Sequence, residues 1–317
     1  MKLLILGGLI MSLVSAATAL AAVKSADNSA DVAAIKTVME SMANMADRNE
    51  YDALEKIFAD EVEVDYTSLG GGEVEVKSNT ALMSAWASLL PGFERTRHTL
   101  NNLQVKVDGD KASGSSKVTA DHWVDGMFWS VTGTYDYVFR KEDGQWLITK
   151  LTLNFVSETG TRDVFAAAMK HAAGNPNTYL TRQKTRQAVI DFLTALEEKD
   201  MEKFNSLWAE DAVQDMPFTP DQSIRRTSGK DNIIAVYKDW PQTAGKVEYL
   251  STLVMFPMQN PEVIYVEFDG DVDILTTGRN YKQKYSCLFH VVDGKICLYR
   301  AYYNPVPFKY AFKMDEQ

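Results

Sequence analysis

The stretch Tyr135-Asp-Tyr-Val-Phe139-Arg-Lys-Glu-Asp143-Gly144 returns 150 residues later as Tyr285-Ser-Cys-Leu-Phe289-His-Val-Val-Asp293-Gly294. In both copies a tyrosine and a phenylalanine precede an Asp-Gly pair, and such a pair between apolar runs is a strong signal for a β-hairpin turn. A period this long is typical of a duplicated domain and not of a solenoid of short repeats. The two stretches therefore predict two copies of one β-containing fold.

Two further segments keep the same spacing. Ala59–Asp65 precedes Ala209–Asp215, and Asn154 precedes Asn304, in each case by 150 residues. A chain of 317 residues is also long enough for two domains of about 150 residues each. We predict a first domain over residues 31–160, a helix and linker over residues 161–180, and a second domain over residues 181–317.

Helical patterns come before strand patterns in the first copy. Apolar residues recur at helical spacing over residues 31–48 and 51–59, and a third helical pattern over residues 80–90 stops at Pro91-Gly92. Residues 98–155 then alternate in strands that are separated by Asp-Gly turns. This order predicts an α+β fold in which three helices pack on one face of a strongly curved antiparallel sheet.

Composition and missing motifs narrow the classes of function. The chain carries 33 basic and 43 acidic residues, a net charge of -10, and its scattered basic residues do not form the stripe that nucleic-acid binding needs. The sequence has no P-loop, dinucleotide fingerprint, nucleophile elbow or paired C-x-x-C zinc motif. We therefore expect no nucleic-acid partner, and chemistry that uses neither a metal nor a cofactor.

The N-terminus has the layout of an export signal. Lys2 is followed by the apolar run Leu3–Val14 and by a small-residue stretch that contains Ala17-Thr18-Ala19. This layout predicts a secretory signal peptide over residues 1–22, and an uncleaved membrane anchor is the alternative. After cleavage the protein would be periplasmic or secreted and would carry no membrane segment.

The chain has two cysteines, Cys287 and Cys297, which flank the Asp293-Gly294 turn. Export would permit a disulfide between them. A two-residue turn pairs Cys287 with Arg300 and His290 with Cys297, so the two sulfur atoms point to opposite faces of the sheet. We therefore predict two free thiols.

Candidate acid/base residues come from the histidines. His98 begins a strand, and His122 lies in a strand near the bulky side chains of Trp123 and Trp129. A histidine between aromatic walls, with a carboxylate that fixes its tautomer, is a general acid/base unit that needs no cofactor. Asp47, at the end of the apolar first helix, is the candidate carboxylate. The alternative is that Asp47 is a solvated helix-end residue and that both histidines are structural.

An ordered set of residues runs through the first copy: Asp47, Val64-Asp65-Tyr66, Arg95-Thr96-Arg97-His98, His122 and Asp143-Gly144-Gln145-Trp146. This set resembles scytalone dehydratase and the wider SnoaL-like, NTF2-like superfamily. The resemblance implies a cone-shaped domain around an apolar pocket, in which Asp47 orients His122, His98 is a second acid/base group and Tyr66 helps to polarise a substrate carbonyl. Tyr135 stands where the dehydratase has an asparagine, and we expect it to line the pocket with Trp123 and Trp129.

In the second copy, Glu210–Phe218 and Tyr299–Pro305 resemble the SnoaL, phenazine-biosynthesis and ketosteroid-isomerase branch of the same superfamily. At the spacing of 150 residues, Glu197, Glu248 and Val272 replace the aspartate and the two histidines of the first copy. Asp215 falls where ketosteroid isomerase keeps its catalytic base, although Phe192 replaces the oxyanion tyrosine of that family. The alternative is that Asp215 ends a strand and caps the next loop.

Three hypotheses about function follow. The first is an exported, cofactor-free lyase or isomerase that acts on a small hydrophobic carbonyl compound in the first domain. The second is a non-catalytic exported module that binds a hydrophobic ligand or a protein partner. The third concerns assembly: the second copy would pack its sheet on the first as an intramolecular pseudo-dimer, or two chains would form a homodimer through their sheets.

Overall fold

The computed structural model describes residues 28–175 and 177–314, and it divides the chain into two compact units between Asn177 and Thr178. The predicted signal peptide over residues 1–22 lies outside the described residues. No helix within the described ranges is both long enough and apolar enough to cross a membrane. The segment predicted as helix and linker is shared between the units, because one helix ends at Gly174 and the next begins at Thr178.

The first unit begins with helices and continues with long strands. Its helices are α1 (28–47), α2 (Tyr51–Leu54), α3 (Thr67–Gly70), α4 (Asn79–Ala87) and α5 (Asp163–Gly174). Its strands are β1 (Phe58–Asp65), β2 (Glu75–Ser78), β3 (Arg95–Asp108), β4 (Lys111–Val124), β5 (Met127–Glu142) and β6 (Gln145–Gly160). At the turn between β5 and β6, Asp143 and Gly144 have φ values of 47° and 80°, the positive values that a type I′ hairpin turn requires.

The strands of the first unit form a six-stranded sheet in the order β2-β1-β6-β5-β4-β3. All neighbouring strands are antiparallel except β1 and β6, which run parallel. The predicted α+β class is confirmed, and the sheet is antiparallel as predicted except for the parallel pair of β1 and β6. Strands β3 to β6 follow one another through hairpins, which make neighbouring strands antiparallel. Most of the domain lies between β1 and β6 in sequence, so no hairpin turn forces these two strands to be antiparallel.

The second unit repeats this plan with one interruption. Its helices are α6 (Thr178–Glu198), α7 (Met201–Ser206), α8 (Lys230–Tyr237), α9 (Trp240–Thr243) and α10 (Pro305–Ala311), and its strands are β7 (Trp208–Asp215), β8 (Arg226–Ser228), β9 (Ala244–Glu248), β10 (Val254–Pro257), β11 (Val263–Ile274), β12 (Arg279–Val292) and β13 (Lys295–Tyr303). Strand β7 runs parallel to β13, as β1 does to β6. Strands β9 and β10 both pair with β11 and correspond to the continuous β3, with a turn at Leu250–Thr252 between them.

Both cysteines are free, which confirms the prediction. The register of their hairpin differs from the predicted one. Val292 faces Lys295, but a bulge next to Val291 makes Cys287 face Ala301 instead of Arg300 and makes His290 face Leu298 instead of Cys297. A bulge adds one unpaired residue to one strand, and counting outward from the turn cannot detect it.

Helix α5 packs very closely on the loop that precedes β3. A Cβ atom built on Gly92 would lie 1.8 Å from the carbonyl oxygen of Ala168 in α5. The contact is therefore one of backbone against backbone, which only glycine permits at this position. It fixes α5 beside the end of the sheet where β3 begins.

Replacing Gly92 by Ala should destabilise the first domain by about 1–3 kcal/mol, the usual cost of forcing extra volume into a packed site. The new methyl group would meet the backbone of α5, which cannot move aside as a flexible side chain can. Gly70→Ala is the matched control, because a Cβ at Gly70 meets nothing within 4 Å. Urea unfolding followed by circular dichroism would compare the variants, and equal midpoints would contradict the close packing of α5.

Candidate functional site

A carboxylate at the end of α1 attaches that helix to β3. Asp47 Oδ1 accepts a hydrogen bond from Thr96 Oγ1 at 2.8 Å and lies 2.7 Å from His98 Nδ1. Asp47 Oδ2 accepts the backbone N–H of His98 at 2.7 Å. Thr96 and His98 are two residues apart in a strand, so both side chains lie on the same face. Three hydrogen bonds therefore hold one carboxylate against one strand.

The charge on Asp47 needs this support. The C-terminal end of a helix carries partial negative charge, which disfavours a carboxylate there. Burial would raise the pKa of Asp47, but the hydrogen bonds and charge of His98 and the hydroxyl of Thr96 together hold that pKa below its usual value. Asp47 is therefore ionised at neutral pH.

The contact with Asp47 also fixes the tautomer of His98 when its ring is neutral. Because a carboxylate can only accept, the hydrogen-bond network assigns the proton of His98 to Nδ1 and leaves the lone pair on Nε2. The His98 side chain is 11% exposed. A lone pair on Nε2 can take a proton from a bound molecule, and Asp47 stabilises the imidazolium that forms.

The prediction that Asp47 orients His122 is wrong, because the partner of Asp47 is His98. His122 lies opposite Thr96 in the β3–β4 pair, and its ring stands edge-on to the ring of His98 with 5.7 Å between centroids. The hydrogen bonds from Thr96 and His98 already use both oxygens of Asp47. Within the described residues, His122 Nδ1 is buried and has no hydrogen-bond partner.

Aromatic rings surround His122. The centroid of its ring is 4.9 Å from Phe93, 5.1 Å from Trp129 and 6.3 Å from Phe165 of α5. Burial, reinforced by the charge of His98, lowers the pKa of His122 to about 4. His122 is therefore a neutral imidazole at physiological pH.

Two predicted site residues supply phenol groups near this cluster. Burial is the main cause of the raised pKa of Tyr135, and the charge of Asp47 adds to it. Burial and the neighbouring Tyr135 and Tyr137 raise the pKa of Tyr66 well above its ordinary value. Tyr66 and Tyr135 are therefore protonated at neutral pH, and a protonated phenol can donate a hydrogen bond to an oxygen atom.

The two predicted tryptophans lie on different faces of the sheet. Trp129 faces His122 across β4 and β5, and its Nε1 donates to Glu158 Oε2 at 2.8 Å. Trp123 directly follows His122 in β4 and so lies on the opposite face, where the guanidinium of Arg95 is 3.9 Å from its ring centroid. The expectation that Trp123 lines the pocket is wrong because adjacent strand residues alternate between faces.

The second unit keeps the carboxylate attachment without the histidines. Glu197, near the end of α6, accepts the backbone N–H groups of Tyr249 and Leu250 at 2.5 and 2.8 Å. Val272, which corresponds to His122, is fully buried. The helix-end carboxylate thus has a structural role in both units, and a histidine partner in the first.

Asp215 is held by ion pairs with the two neighbouring strands. Its Oδ2 accepts from Arg300 Nε on β13 at 2.9 Å and lies 3.5 Å from Arg226 Nη1 on β8. The two guanidinium groups thus hold the carboxylate between β8 and β13. The geometry therefore gives Asp215 a structural role at the end of β7.

Sequence reasoning missed Thr96, Phe93 and Phe165. Thr96 could have been found, because it lies two residues before His98 and shares its face of the strand. Phe165 reaches the site from α5, some 40 residues beyond His122 in sequence, and no local pattern indicates that contact. Among the described residues, no group of three or more His, Cys, Asp or Glu side chains is arranged to hold a metal ion.

Both units match family models described as a SnoaL-like domain, over residues 27–152 and 189–299. The chain belongs to the SnoaL-like family. The SnoaL-like domains occur in tandem, and each has the α+β fold described above. The first SnoaL-like domain carries the Asp47–His98 pair, and the second carries Glu197 in its place.

Three similar proteins illustrate the range of the likeness. YesE from Bacillus subtilis, described as uncharacterized, is 32% identical over 130 residues, which are 41% of this chain and 88% of YesE. The uncharacterized PhzA/B-like protein PA3332 from Pseudomonas aeruginosa is 24% identical over 38% of this chain and 84% of its own length. A solved structure provisionally named a scytalone dehydratase, from Novosphingobium aromaticivorans, is 23% identical over 43% of this chain and 90% of its own, with a TM-score of 0.38.

His122 should make the stability of the first domain depend on pH. The unfolded chain binds a proton at this histidine near pH 6.5, whereas the folded chain does so only near pH 4. The free energy of unfolding should therefore fall by about 3 kcal/mol as the pH drops through this interval. His122→Phe should remove that part of the slope in urea unfolding between pH 7 and 4. An identical slope in wild type and variant would contradict a neutral, buried His122.

Proposed function

We propose that the first SnoaL-like domain is a cofactor-independent acid/base catalyst, a lyase or isomerase that acts on a small hydrophobic carbonyl compound. One observation carries this proposal: Asp47 pairs with His98 at 2.7 Å, beside a second histidine, His122, which aromatic side chains surround. A carboxylate–imidazole pair with a free Nε2 is a general base, and the aromatic surroundings favour an apolar substrate.

In the proposed reaction, His98 Nε2 takes a proton from the carbon next to the substrate carbonyl. The electron pair of the broken C–H bond moves into the carbonyl group and forms an enolate. In a lyase, the enolate then expels a hydroxyl group from the adjacent carbon, and the imidazolium of His98 returns its proton to that oxygen, so water leaves. In an isomerase, the same imidazolium returns the proton to a different carbon. In both routes the proton and the electron pair stay within the substrate, His98 and the released water, so no cofactor is required.

Tyr66 and Tyr135 are the proposed stabilisers of the enolate. A phenol that stays protonated can donate to the carbonyl oxygen, on which negative charge develops in the transition state. Both phenols are protonated at neutral pH, and burial raises the pKa of each further. His122, neutral and with Nδ1 unpartnered among the described residues, is the proposed hydrogen-bonding group for the other end of the substrate.

A specific observation favours the second candidate function, a non-catalytic binding module. Glu197 makes the same kind of backbone contact as Asp47 in a domain that has no histidine beside it. The Asp47 contacts therefore have a sufficient structural reason, and the His98 ring could serve only to complete them. A measurement of substrate turnover would distinguish the catalyst from the binding module.

The proposed site of action lies outside the cytoplasm. Residues 1–22, with Lys2, an apolar run and Ala17-Thr18-Ala19, support this proposal. When the whole gene product is expressed in a bacterial host, the mass of the protein recovered from the periplasm should correspond to loss of about the first 20 residues. An intact N-terminus in the membrane fraction would instead indicate an uncleaved anchor.

His98→Ala should lower turnover by about 10²- to 10⁴-fold, because it removes the general base. A suitable assay incubates the protein with a panel of cyclic β-hydroxyketones in D2O and follows deuterium exchange and enone formation by NMR. Asp47→Asn should also lower turnover, since it removes the charge that stabilises the imidazolium.

The matched control is His171→Gln, which alters an exposed histidine of the same domain that pairs with Asp125 at 3.0 Å. This variant should turn over as fast as the wild type. Exchange that persists at the wild-type rate in His98→Ala would rule out His98 as the base. No exchange with any ketone of the panel, in a folded wild-type protein, would favour the binding module.

A further inference from the structure

The second SnoaL-like domain encloses a cavity of about 450 Å³, within the range of roughly 300–1,000 Å³ for pockets that bury small ligands. Eleven of its twenty lining residues are aromatic, among them Tyr237, Trp240, Tyr285 and Phe308. The acid/base residues of the first domain have no counterpart in this lining. The described lining of the cavity therefore lacks the carboxylate–histidine pair of the first domain.

The charged side chains that line the cavity are all acidic. The lining includes the carboxylates of Asp221 and Asp239, and it contains no Lys, Arg or His among the described residues. The face of an aromatic ring is also electrically negative, so it attracts a cation and repels an anion. The net charge of the whole chain, -10, acts in the same direction.

Three of the six tyrosine hydroxyl groups in the lining already donate to acceptors in the wall. Tyr237 donates to Gln214 Oε1 at 2.8 Å, Tyr285 donates to the hydroxyl of Tyr281 at 3.2 Å, and Tyr303 donates to Met216 Sδ at 3.7 Å. These protons already have acceptors in the wall. An anion that used these three hydroxyls would have to replace their contacts, whereas a cation can approach the ring faces and the two carboxylates. Asp221 Oδ1 also accepts from the backbone N–H and the hydroxyl of Ser223, at 2.9 and 2.6 Å.

We propose that the cavity of the second domain binds a small hydrophobic organic cation, of the aryl- or alkylammonium class. Its apolar part would lie among the aromatic rings, and its ammonium group would lie towards Asp221 and Asp239. This inference concerns the second domain only and is independent of the catalytic proposal for the first.

Three isosteric probes test the proposal on the full chain by isothermal titration calorimetry: (4-hydroxyphenyl)trimethylammonium, the neutral 4-tert-butylphenol and the anion 4-hydroxybenzenesulfonate. The cation should bind roughly tenfold more tightly than the neutral probe, a ratio within reach of desolvated cation–π contacts. The anion should show no binding. Equal or tighter binding of the neutral probe, measurable binding of the anion, or no binding of the cation would each overturn the proposal.

Variants assign the binding to this cavity. The double variant Asp221→Asn with Asp239→Asn should lose most of the preference for the cation and keep its affinity for the neutral probe. Asp293→Asn, which alters a carboxylate that is 89% exposed and outside the lining, is the charge-matched control and should bind as the wild type does. Val236→Trp fills the cavity from a residue that is 37% exposed, so it should fold and should block both the cation and the neutral probe. Unchanged cation affinity in the double variant or in Val236→Trp would overturn the assignment.

His98→Ala separates this proposal from the catalytic one. It should leave cation binding unchanged, because His98 lies in the other domain. Loss of cation binding in a folded His98→Ala protein would place the ligand in the first domain and contradict the inference.

Discussion

A carboxylate at the end of the first long helix determines how that helix meets the sheet in each domain. Asp47 accepts one backbone N–H group from β3, and Glu197 accepts two from the turn between β9 and β10. A buried N–H without an acceptor costs about 1–3 kcal/mol, and a charged acceptor makes a stronger bond than a neutral one. The acidic residue therefore has a structural role in both domains. Any acid/base chemistry in the first domain depends on the further contact of this carboxylate with a histidine.

The two domains differ in which groups of the neighbouring strand contact the helix-end carboxylate. In the first, β3 is continuous, and Thr96 and His98 lie on the face that meets Asp47. In the second, the strand is interrupted at Leu250–Thr252, and the longer Glu197 side chain accepts two successive backbone N–H groups at that turn. Phenol groups such as that of Tyr249 then occupy the interior, and burial raises the pKa of Tyr249 well above the ordinary value of a phenol. The second interior thus differs from the first in its interrupted strand and in having Glu248 and Val272 where the first has His98 and His122.

Local patterns were sufficient to predict the α+β order, the hairpin turn at Asp143-Gly144 and the two free cysteines. Each depends on neighbours in sequence or on the alternation of a strand. The parallel pairing of β1 with β6 and the bulge beside Val291 were missed, because they depend on contacts between distant segments. Strand alternation would have excluded Trp123 from the pocket, since it is adjacent to His122.

The pairing of the carboxylate was the hardest feature to predict. The sequence offers two histidines, His98 and His122, as candidate partners for Asp47 at the end of α1. Nothing in the sequence pattern indicates which of the two pairs with it. The pairing is decided by three donors on β3 that all reach one carboxylate. They are the hydroxyl of Thr96, the ring Nδ1–H of His98 and the backbone N–H of His98. A single histidine ring from β4 could not compete with three hydrogen bonds from β3. The resemblance identified the residues of the cluster but assigned the aspartate to the wrong histidine.

The electrostatics of the cluster limit it to one mobile proton. Positive charge on His98 lowers the pKa of His122, which burial already depresses, so the two rings do not carry charge together. When His98 accepts a proton, Asp47 neutralises the new charge, and His122 remains neutral 5.7 Å away. In the proposed reaction, a single imidazole would therefore act first as base and afterwards as acid, which is the sequence of steps that an elimination or an isomerisation requires. The neutral His122 lowers stability at acidic pH, and this cost is absent from the second domain, where Val272 takes its place.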